Sequence, residues 1–164
     1  MTTFTLINTA GDKFICLIDA EDSHILDTFK LALTLKSKHK YYIHGYPKDL
    51  GSRHRKLLHR HLLNVPTGST VDHINGNSLD NRRENIRICN AKLNHLNKGL
   101  KLNKVTSTYK GVDWVKKDRK WRTRVNKFGK CVHCSYHINE VDAARAYNKN
   151  AELHHGEYAS LNKI

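Results

Sequence analysis

Residues 71–94 read VDHINGNSLDNRRENIRICNAKLN, and this stretch decides how the rest of the chain is interpreted. It opens with an acid beside a histidine, Asp72 and His73, and continues through a run of Asn, Gly and Ser that favours a turn. Very little of it is apolar, so a place in the hydrophobic core does not account for it. Its carboxylate, imidazole and amide groups are those that bind a divalent metal, activate water and contact phosphate.

The charge of the chain is large and unevenly distributed. The net charge is +14 over 164 residues, and residues 1–50 contribute none of it because their six lysines balance six acidic residues. The whole excess therefore lies in residues 51–164, which points to a polyanionic partner, most simply nucleic acid. A basic protein without such a partner is the alternative.

Several protein classes are disfavoured by the same sequence. No apolar run approaches the roughly 20 residues needed to cross a bilayer, and the N-terminus lacks the features of a signal peptide. We therefore expect a soluble cytoplasmic protein with no membrane partner. A reducing compartment also fits the cysteines, which show no disulfide framework: Cys16, Cys89, Cys131 and Cys134.

Residues 1–50 predict β structure, with a hairpin over residues 4–18 and further strands at residues 29–35 and 41–44. Nothing in this segment suggests chemistry, so we expect it to be a small sheet that supports the residues after it. Residues 52–63 then predict one short amphipathic helix, whose apolar face consists of Leu58, Leu62 and Leu63.

The last third predicts a three-stranded sheet with one helix behind it. Strict alternation over residues 120–126 separates an apolar face from a basic one that contains Arg122 and Arg124. Asn139 is the expected cap of a helix from Glu140 to about Leu153. Its packed stripe is predicted to be Val141, Ala144, Tyr147 and Ala151.

Cys131 and Cys134 flank a histidine and raise the question of a zinc site. A regular strand would put the two thiols on opposite faces, and no second cysteine pair completes four ligands. We therefore expect no structural zinc.

The chemistry of residues 71–94 suits phosphodiester hydrolysis. His73 has an ordinary pKa near 6.5, which suits removal of a proton from water. Asp72 is a hard oxygen ligand of the kind that Mg²⁺ accepts. Asn85 follows His73 by 12 positions and is able to brace a loop through its amide, and Asn94, nine positions later, offers a carbonyl oxygen.

This pattern resembles the HNH endonucleases, especially the subgroup of bacteriophages and mobile introns whose third motif residue is Asn. The resemblance implies a ββα-metal fold with one divalent ion, Mg²⁺ with Mn²⁺ as a substitute. It implies that His73 is the general base, Asp72 and Asn94 are metal ligands, and Asn85 fixes the loop. His95 competes with Asn94 for the second ligand position. Adjacent helical residues point about 100° apart, so both side chains cannot face the metal, and the spacing of the motif favours Asn94.

The residues before the motif extend this resemblance. Leu58, His59 and Arg60 resemble a His-Arg pair that precedes the motif in the same subgroup. By that comparison Arg60 is expected near a phosphate and His59 against the wall of the active site.

The C-terminal third resembles the AP2 DNA-binding domain, through segments such as YKGV at residues 109–112 and KWR at residues 120–122. That family inserts a three-stranded sheet into the major groove of DNA. Asp113 and Val132 stand where plant members have Arg and Trp, so plant-type base specificity is not transferred. The resemblance implies a DNA-facing set of Lys110, Arg122, Arg124, Asn126 and Lys130.

These inferences combine into one prediction. The fold class is α+β, divided into a β-rich segment (1–50), a nuclease core (51–97), a basic linker (98–107) and an AP2-like domain (108–164). The predicted function is a metal-dependent DNA endonuclease of the homing type, without a small-molecule cofactor, in the cytoplasm of a bacterial host if phage-encoded. We expect a monomer on double-stranded DNA, with a dimer as the alternative.

Two other functions compete with this prediction. The first is a non-catalytic AP2-type regulator with a decayed nuclease domain, and the second is an RNA-binding or RNA-cleaving protein.

Overall fold

The structure is a computed structural model that describes residues 1–37, 40–97 and 106–164. Two compact units divide the chain, Met1–Asn90 and Ala91–Ile164. Helices and several small antiparallel sheets make up both, which confirms the expected mixture of α and β structure. The finer four-part division remains a prediction, and residues 98–105 of the predicted linker lie outside the described residues.

The first unit begins with an antiparallel hairpin of β1 (Thr2–Ile7) and β2 (Lys13–Ile18). Its turn is held by the Asn8 side chain, whose Oδ1 accepts the backbone N–H groups of Ala10 at 2.9 Å and Asp12 at 2.8 Å. Such Asx contacts replace ladder hydrogen bonds where the chain reverses. The expected hairpin over residues 4–18 is thus present.

A second sheet has the strand order β3 (Phe29–Ser37), β4 (Lys40–Pro47) and β5 (Lys56–Leu57). The short helix α1 (His24–Thr28) leads into it. The single helix predicted over residues 52–63 is wrong. The chain there forms a 3₁₀ turn (Ser52–His54), then β5, then a short helix α2 (Leu58–Leu62).

The reason for this difference is strand pairing. Lys56 and Leu57 pair with Gly45 and His44 at the edge of the sheet, so their backbone groups are already satisfied before the helix begins. The helix ends at Leu62, and Asn64 just beyond it adopts φ 45°, a left-handed conformation that Asn tolerates.

The third sheet pairs β6 (Thr70–His73) with β7 (Ile86–Cys89), in a register that runs from Thr70 opposite Cys89 to His73 opposite Ile86. Residues 74–85 form the long loop between these strands. The short helix α3 (Ala91–Leu96) follows in sequence and belongs to the second unit.

One hydrophobic core joins the hairpin, the second sheet and the motif strands. Buried residues from all of them contribute to it. Burial raises the pKa of the Cys16 thiol within this core to about 11, so the thiol is protonated and behaves as an apolar group. The N-terminal segment therefore packs on the elements that carry the motif. The buried members are Cys16, Ile18, Ile25, Ile43, Leu58, Leu62 and Ile86.

The loop between β6 and β7 is tied to the N-terminal hairpin through its backbone. The Leu17 N–H donates to the Leu79 carbonyl at 3.0 Å, and the Asn81 N–H donates to the Leu17 carbonyl at 2.8 Å. A parallel bridge between Leu17 and Asp80 results. The Ser78 hydroxyl also donates to the Tyr41 carbonyl. Residues 1–50 thus hold the middle of the loop.

Arg83 makes a second tie to the same segment. Its guanidinium contacts Asp22 at 2.8 Å and Glu21 at 3.0 Å, and its backbone N–H donates to the Asp19 carboxylate at 2.7 Å. The Asp22 side chain is only 5% exposed, so it needs a cationic partner to remain charged.

The second unit contains β8 (Val112–Val115), β9 (Lys120–Lys127) and β10 (Lys130–His137), with β9 in the centre. Helix α4 (Glu140–His155) packs on one face of this sheet. Thr123 and Val125 of β9 are fully buried, and the Thr123 hydroxyl donates to the Ala143 carbonyl at 2.7 Å. Alternation along β9 therefore separates a packed face from a free face.

Two details of α4 differ from the sequence prediction. Val141 is 36% exposed, and Ala143 is buried in its place. Asn139 occupies the N-cap position without a side-chain cap hydrogen bond, since its amide donates to Asp142 at 3.2 Å instead. The packed stripe of α4 therefore differs from the predicted one at its first residue and consists of Ala143, Ala144, Tyr147 and Ala151.

Gly111 is required for the close approach of β8 to α4. It adopts φ 74°, and a Cβ there would lie 2.1 Å from the Tyr147 ring. None of the helices in the described residues has the length and apolar character needed to span a membrane.

Replacing Arg83 by Ala should destabilise the first unit by about 1–3 kcal/mol, because it leaves the buried Asp22 carboxylate without its partner. The expected loss of stability is smaller than for a fully buried ion pair because Arg83 is 45% exposed. Native-state hydrogen exchange by mass spectrometry should show faster opening of peptides from β2 and β6. The control Arg53→Ala, at an exposed position, should change neither, and equal protection in both variants would contradict this role.

The first unit should also lose stability in mild acid. Burial lowers the pKa of His44 and His61, and lowers that of His59 to about 3. The unfolded chain protonates these rings near pH 6.5, whereas the folded unit does so only at lower pH. Their stabilising contribution is therefore complete above pH 6.5 and is lost as the pH falls towards 3.

We expect the opening free energy of the first unit to fall by about 1–2 kcal/mol between pH 7.5 and pH 5.5. Hydrogen exchange corrected for the intrinsic rate at each pH measures it. His59→Gln should reduce the slope, and a free energy that stays constant or rises on acidification would contradict the assignment.

Candidate functional site

Asp72 and His73 end strand β6, and both are 5% exposed. Pairing with β7 fixes their backbone, and the Ile74 N–H extends the pairing by donating to the Asn85 carbonyl at 2.8 Å. Burial of an acid and a histidine is unfavourable without specific partners. Each of the two side chains has a different set of neighbours.

Asp72 meets Arg87, which stands directly opposite on β7. The guanidinium donates to Oδ2 from Nη2 at 2.8 Å and from Nε at 3.1 Å. Both side chains are largely buried, at 6% and 13% exposure, so the pair is held in place by its surroundings. Sequence reasoning missed Arg87, because only the strand register brings it beside Asp72.

His73 lies in a cluster of aromatic rings. Its imidazole is 5.1 Å from that of His59 and 6.0 Å from the Tyr42 ring, measured between centroids. Burial lowers the pKa of His73, and a hydrogen bond with the Asn81 side chain partly opposes this shift. The neutral imidazole is therefore favoured near pH 7, which is the form that accepts a proton.

Asn81 is a second residue that the sequence did not single out. It is 1% exposed, its amide donates to the Ser78 carbonyl at 3.5 Å, and its backbone is bonded to Leu17. A buried amide facing an imidazole can set the orientation of the ring. The only sequence signal was its place within a polar loop.

Asn85 closes the loop from both sides. Its Oδ1 accepts the Asn75 N–H at 2.9 Å, and its Nδ2 donates to the Asp80 carbonyl at 2.7 Å. These two contacts span residues 75–80 and use the donor and the acceptor of one amide. The residue is 5% exposed, so both bonds are shielded from water.

Asp80 is the acidic centre of the loop and is 1% exposed. Arg82 contacts its carboxylate at 2.7 and 2.8 Å, and Asn75 donates to it at 2.9 Å. The hydrogen bonds from Arg82 hold the pKa of Asp80 below its ordinary value. The Asp80 carboxylate is thus satisfied within a polar network.

Arg60 and His59 lie on α2. The Arg60 guanidinium donates to the Ser69 carbonyl at 2.8 Å and the Pro66 carbonyl at 3.1 Å, so it braces the turn that precedes β6. The His59 ring packs against that of His73. The contact of Arg60 with a phosphate remains a prediction.

Asn94 and His95 both lie on α3 in the second unit, where Asn94 is half-buried and His95 is exposed. Their adjacent positions direct the side chains about 100° apart. The choice of Asn94 as the second metal ligand remains a prediction.

Within the described residues, one group of three acids lies close enough to share a metal ion: Asp19, Glu21 and Asp22. Arg83 already contacts all three. The group includes none of the predicted ligands and is accounted for by that arginine.

The free face of the C-terminal sheet carries Arg122 and Arg124, with Asn126 beyond them on β9. Arg122 is half-buried, whereas Arg124, Asn126 and Lys130 are exposed. Asp113 on β8 contacts both arginines.

Lys110 is placed differently from the rest of the predicted DNA-facing set. Its ammonium donates to the Leu96 carbonyl at 3.0 Å and lies 5.9 Å from the Tyr147 ring. Burial lowers its pKa to about 8. This lysine is therefore engaged inside the second unit.

Cys131 and Cys134 share the free face, so the prediction of opposite faces is wrong. Cys131 pairs with Asn126, and Cys134 pairs with Arg124, two residues away on β9. The register shifts between Cys131 and His133, where Val132 is an extra residue. A bulge of this kind restores both thiols to one side, and both are exposed.

Comparison with known proteins identifies the family of this chain. No family model and no solved structure matches it. It is 38% identical to Protein 3.8 of Escherichia phage T7 over 97 residues, which covers 58% of this chain and 77% of that protein. It is 34% identical over 138 residues to an uncharacterised HNH endonuclease, L560, of Acanthamoeba polyphaga mimivirus, which covers 78% of this chain and 69% of that protein. The chain therefore belongs to the HNH endonuclease family, a family of nucleases.

Proposed function

We propose that this protein is a metal-dependent DNA endonuclease of the homing type, which hydrolyses phosphodiester bonds with His73 as its general base. The observation that carries the proposal is the buried pair of Asp72 and His73, at the end of a strand whose following loop is closed by Asn85. A buried acid and a neutral imidazole, held in a rigid polar frame, are suited to catalysis and add little to stability.

His73 is the group that accepts the proton of the attacking water. Its burial keeps the imidazole neutral, and its neighbours His59 and Tyr42 restrict the movement of the ring. General-base catalysis requires that the accepting nitrogen be unprotonated and fixed in direction. Asn81 contributes the polar contact that orients it.

HNH nucleases generally use a divalent metal ion. Asp72 would hold it through a carboxylate oxygen, a hard ligand of the kind that Mg²⁺ or Mn²⁺ accepts, and Asn94 is a proposed second ligand on the basis of the sequence motif alone. When bound, the ion supplies positive charge beside the phosphate and the leaving oxygen. Arg87 keeps the Asp72 carboxylate in a fixed position.

Asn85 acts on the reaction through the loop. It joins Asn75 and Asp80 and thereby shapes the segment that follows His73. Its contribution to catalysis is positional, since its amide is already used in these two hydrogen bonds.

Target binding belongs to the free face of the C-terminal sheet, which would enter the major groove of double-stranded DNA. The support for this role is the separation of a packed face from a basic face, together with the +14 charge of the chain. The major groove is wide enough to admit a two-stranded β-ribbon. We propose that one copy of the chain binds one target.

The alternative is a non-catalytic DNA-binding regulator with a decayed nuclease domain. The observation that favours it is the Arg87 guanidinium on Oδ2 of Asp72, at 2.8 Å, where a cation already compensates the carboxylate. Cleavage assays distinguish the two functions because a regulator binds DNA without cutting it.

Replacement of His73 or Asp72 by Ala should reduce cleavage of plasmid DNA by at least about 100-fold, because one removes the base and the other a metal ligand. DNA affinity, measured by electrophoretic mobility shift in EDTA, should change by less than about threefold, because the sheet remains intact. His54→Ala, at an exposed position in the 3₁₀ turn, is the matched control. Wild-type cleavage by either site variant would reject the proposed active site.

A further inference from the structure

The free face of the C-terminal sheet contains an acid, Asp113, in the middle of its basic residues. Asp113 stands opposite Arg122 in the strand register. Arg122 donates to Oδ2 through Nη2 at 2.7 Å and to Oδ1 through Nε at 3.4 Å, and the Nη2 of Arg124 lies 3.3 Å from the same Oδ1. One carboxylate is therefore shared by two arginines.

A stabilising role does not explain this arrangement well. The three side chains are 29% to 47% exposed, and ion pairs with that much solvent contact contribute little to folding. The acid also weakens the attraction of the face for a polyanion, since it cancels one positive charge. Asp113 should therefore have an effect that compensates for the lost affinity.

Orientation of the arginines is such an effect. Asp113 uses the Nε and Nη2 side of Arg122 and the Nη2 of Arg124, so the Nη1 edge of each guanidinium is not used by the acid. Tyr136 stands opposite Arg122 on β10, on the side away from Asp113. The contact with Asp113, and to a smaller extent that with Tyr136, raises the pKa of Arg122.

We propose that Asp113 is a specificity-determining residue that holds Arg122 and Arg124 as a rigid fork for reading base edges. This inference rests on the proposed binding of DNA by the sheet. An arginine with a mobile side chain is able to contact any nearby phosphate through its charge. Recognition of guanine instead takes two parallel hydrogen bonds to O6 and N7, which require the guanidinium plane to be fixed. The fork is thus directed at guanine.

Asp113 thus lowers the affinity of the sheet for DNA in general and increases its discrimination between DNA sequences. With Asp113 present, the arginines lose less conformational freedom when they meet the correct base, and the face attracts arbitrary DNA less strongly. Without it, the two charges are free to contact any phosphate. Removal of the acid should therefore tighten non-specific binding and weaken sequence preference.

The test uses the full chain in EDTA, so that DNA is bound without cleavage. A duplex is selected from a randomised library, and its dissociation constant is compared with that of a scrambled duplex of equal composition. Asp113→Asn removes the charge with little change in shape. Asp118→Asn, in the exposed turn between β8 and β9, removes the same charge away from the fork.

We expect Asp113→Asn to bind the scrambled duplex about two- to fivefold more tightly and to reduce the ratio of the two constants about tenfold. Asp118→Asn should tighten both complexes equally and leave the ratio unchanged. Substituting 7-deazaguanine, which lacks the N7 acceptor, should weaken the wild type at the fork-contacted guanine and have a smaller effect on Asp113→Asn.

An unchanged ratio in Asp113→Asn would overturn the inference. The double variant Arg122→Ala with Arg124→Ala separates that result from failure of the proposed binding face. If this variant binds less tightly and with a flatter salt dependence, the sheet binds DNA and only the role of Asp113 is rejected. If its affinity and salt dependence match the wild type, both are rejected.

Discussion

The pairing of Leu17 with the loop at Asp80 and Asn81 is the interaction on which the first unit depends. Two backbone hydrogen bonds, of 2.8 and 3.0 Å, fix the middle of a loop that has few apolar residues of its own. Through that contact the core of the N-terminal hairpin holds Asn81 against His73. A loop without it would have to order itself from polar groups alone, against the entropy of more than ten residues.

The buried carboxylates of the site are then tolerable because each has a specific partner. Asp80 is matched by Arg82 and Asn75, and Asp72 is matched by Arg87. Buried networks of this kind specify one arrangement of the backbone. The cost is sensitivity to acid and to loss of a single partner, which is consistent with a site selected for chemistry rather than stability.

Local patterns allowed much of the fold to be predicted. The hairpin, the alternation along β9 and the helix α4 follow from periodicity and turn residues, which act over a few positions. The helix over residues 52–63 was wrong because β5 pairs with a strand some ten residues earlier. The prediction that Cys131 and Cys134 lie on opposite faces was wrong because it assumed a regular strand, and a bulge interrupts the alternation between them. Arg87 and Asn81 were missed because they are not among the residues that define the motif. Arg87 reaches Asp72 only through the register of β6 and β7, and Asn81 is held only by its contact with the N-terminal hairpin.

Metal-dependent cleavage of DNA is the role proposed for the buried pair of Asp72 and His73. The most direct measurement incubates the wild-type chain with supercoiled plasmid in Mg²⁺ and, in parallel, in EDTA, and separates the products by agarose electrophoresis. If the protein is such a nuclease, the products are relaxed or linear DNA with Mg²⁺ and intact supercoiled DNA with EDTA. Plasmid that is bound but stays uncut in Mg²⁺ and in Mn²⁺ would contradict it and would favour the regulator.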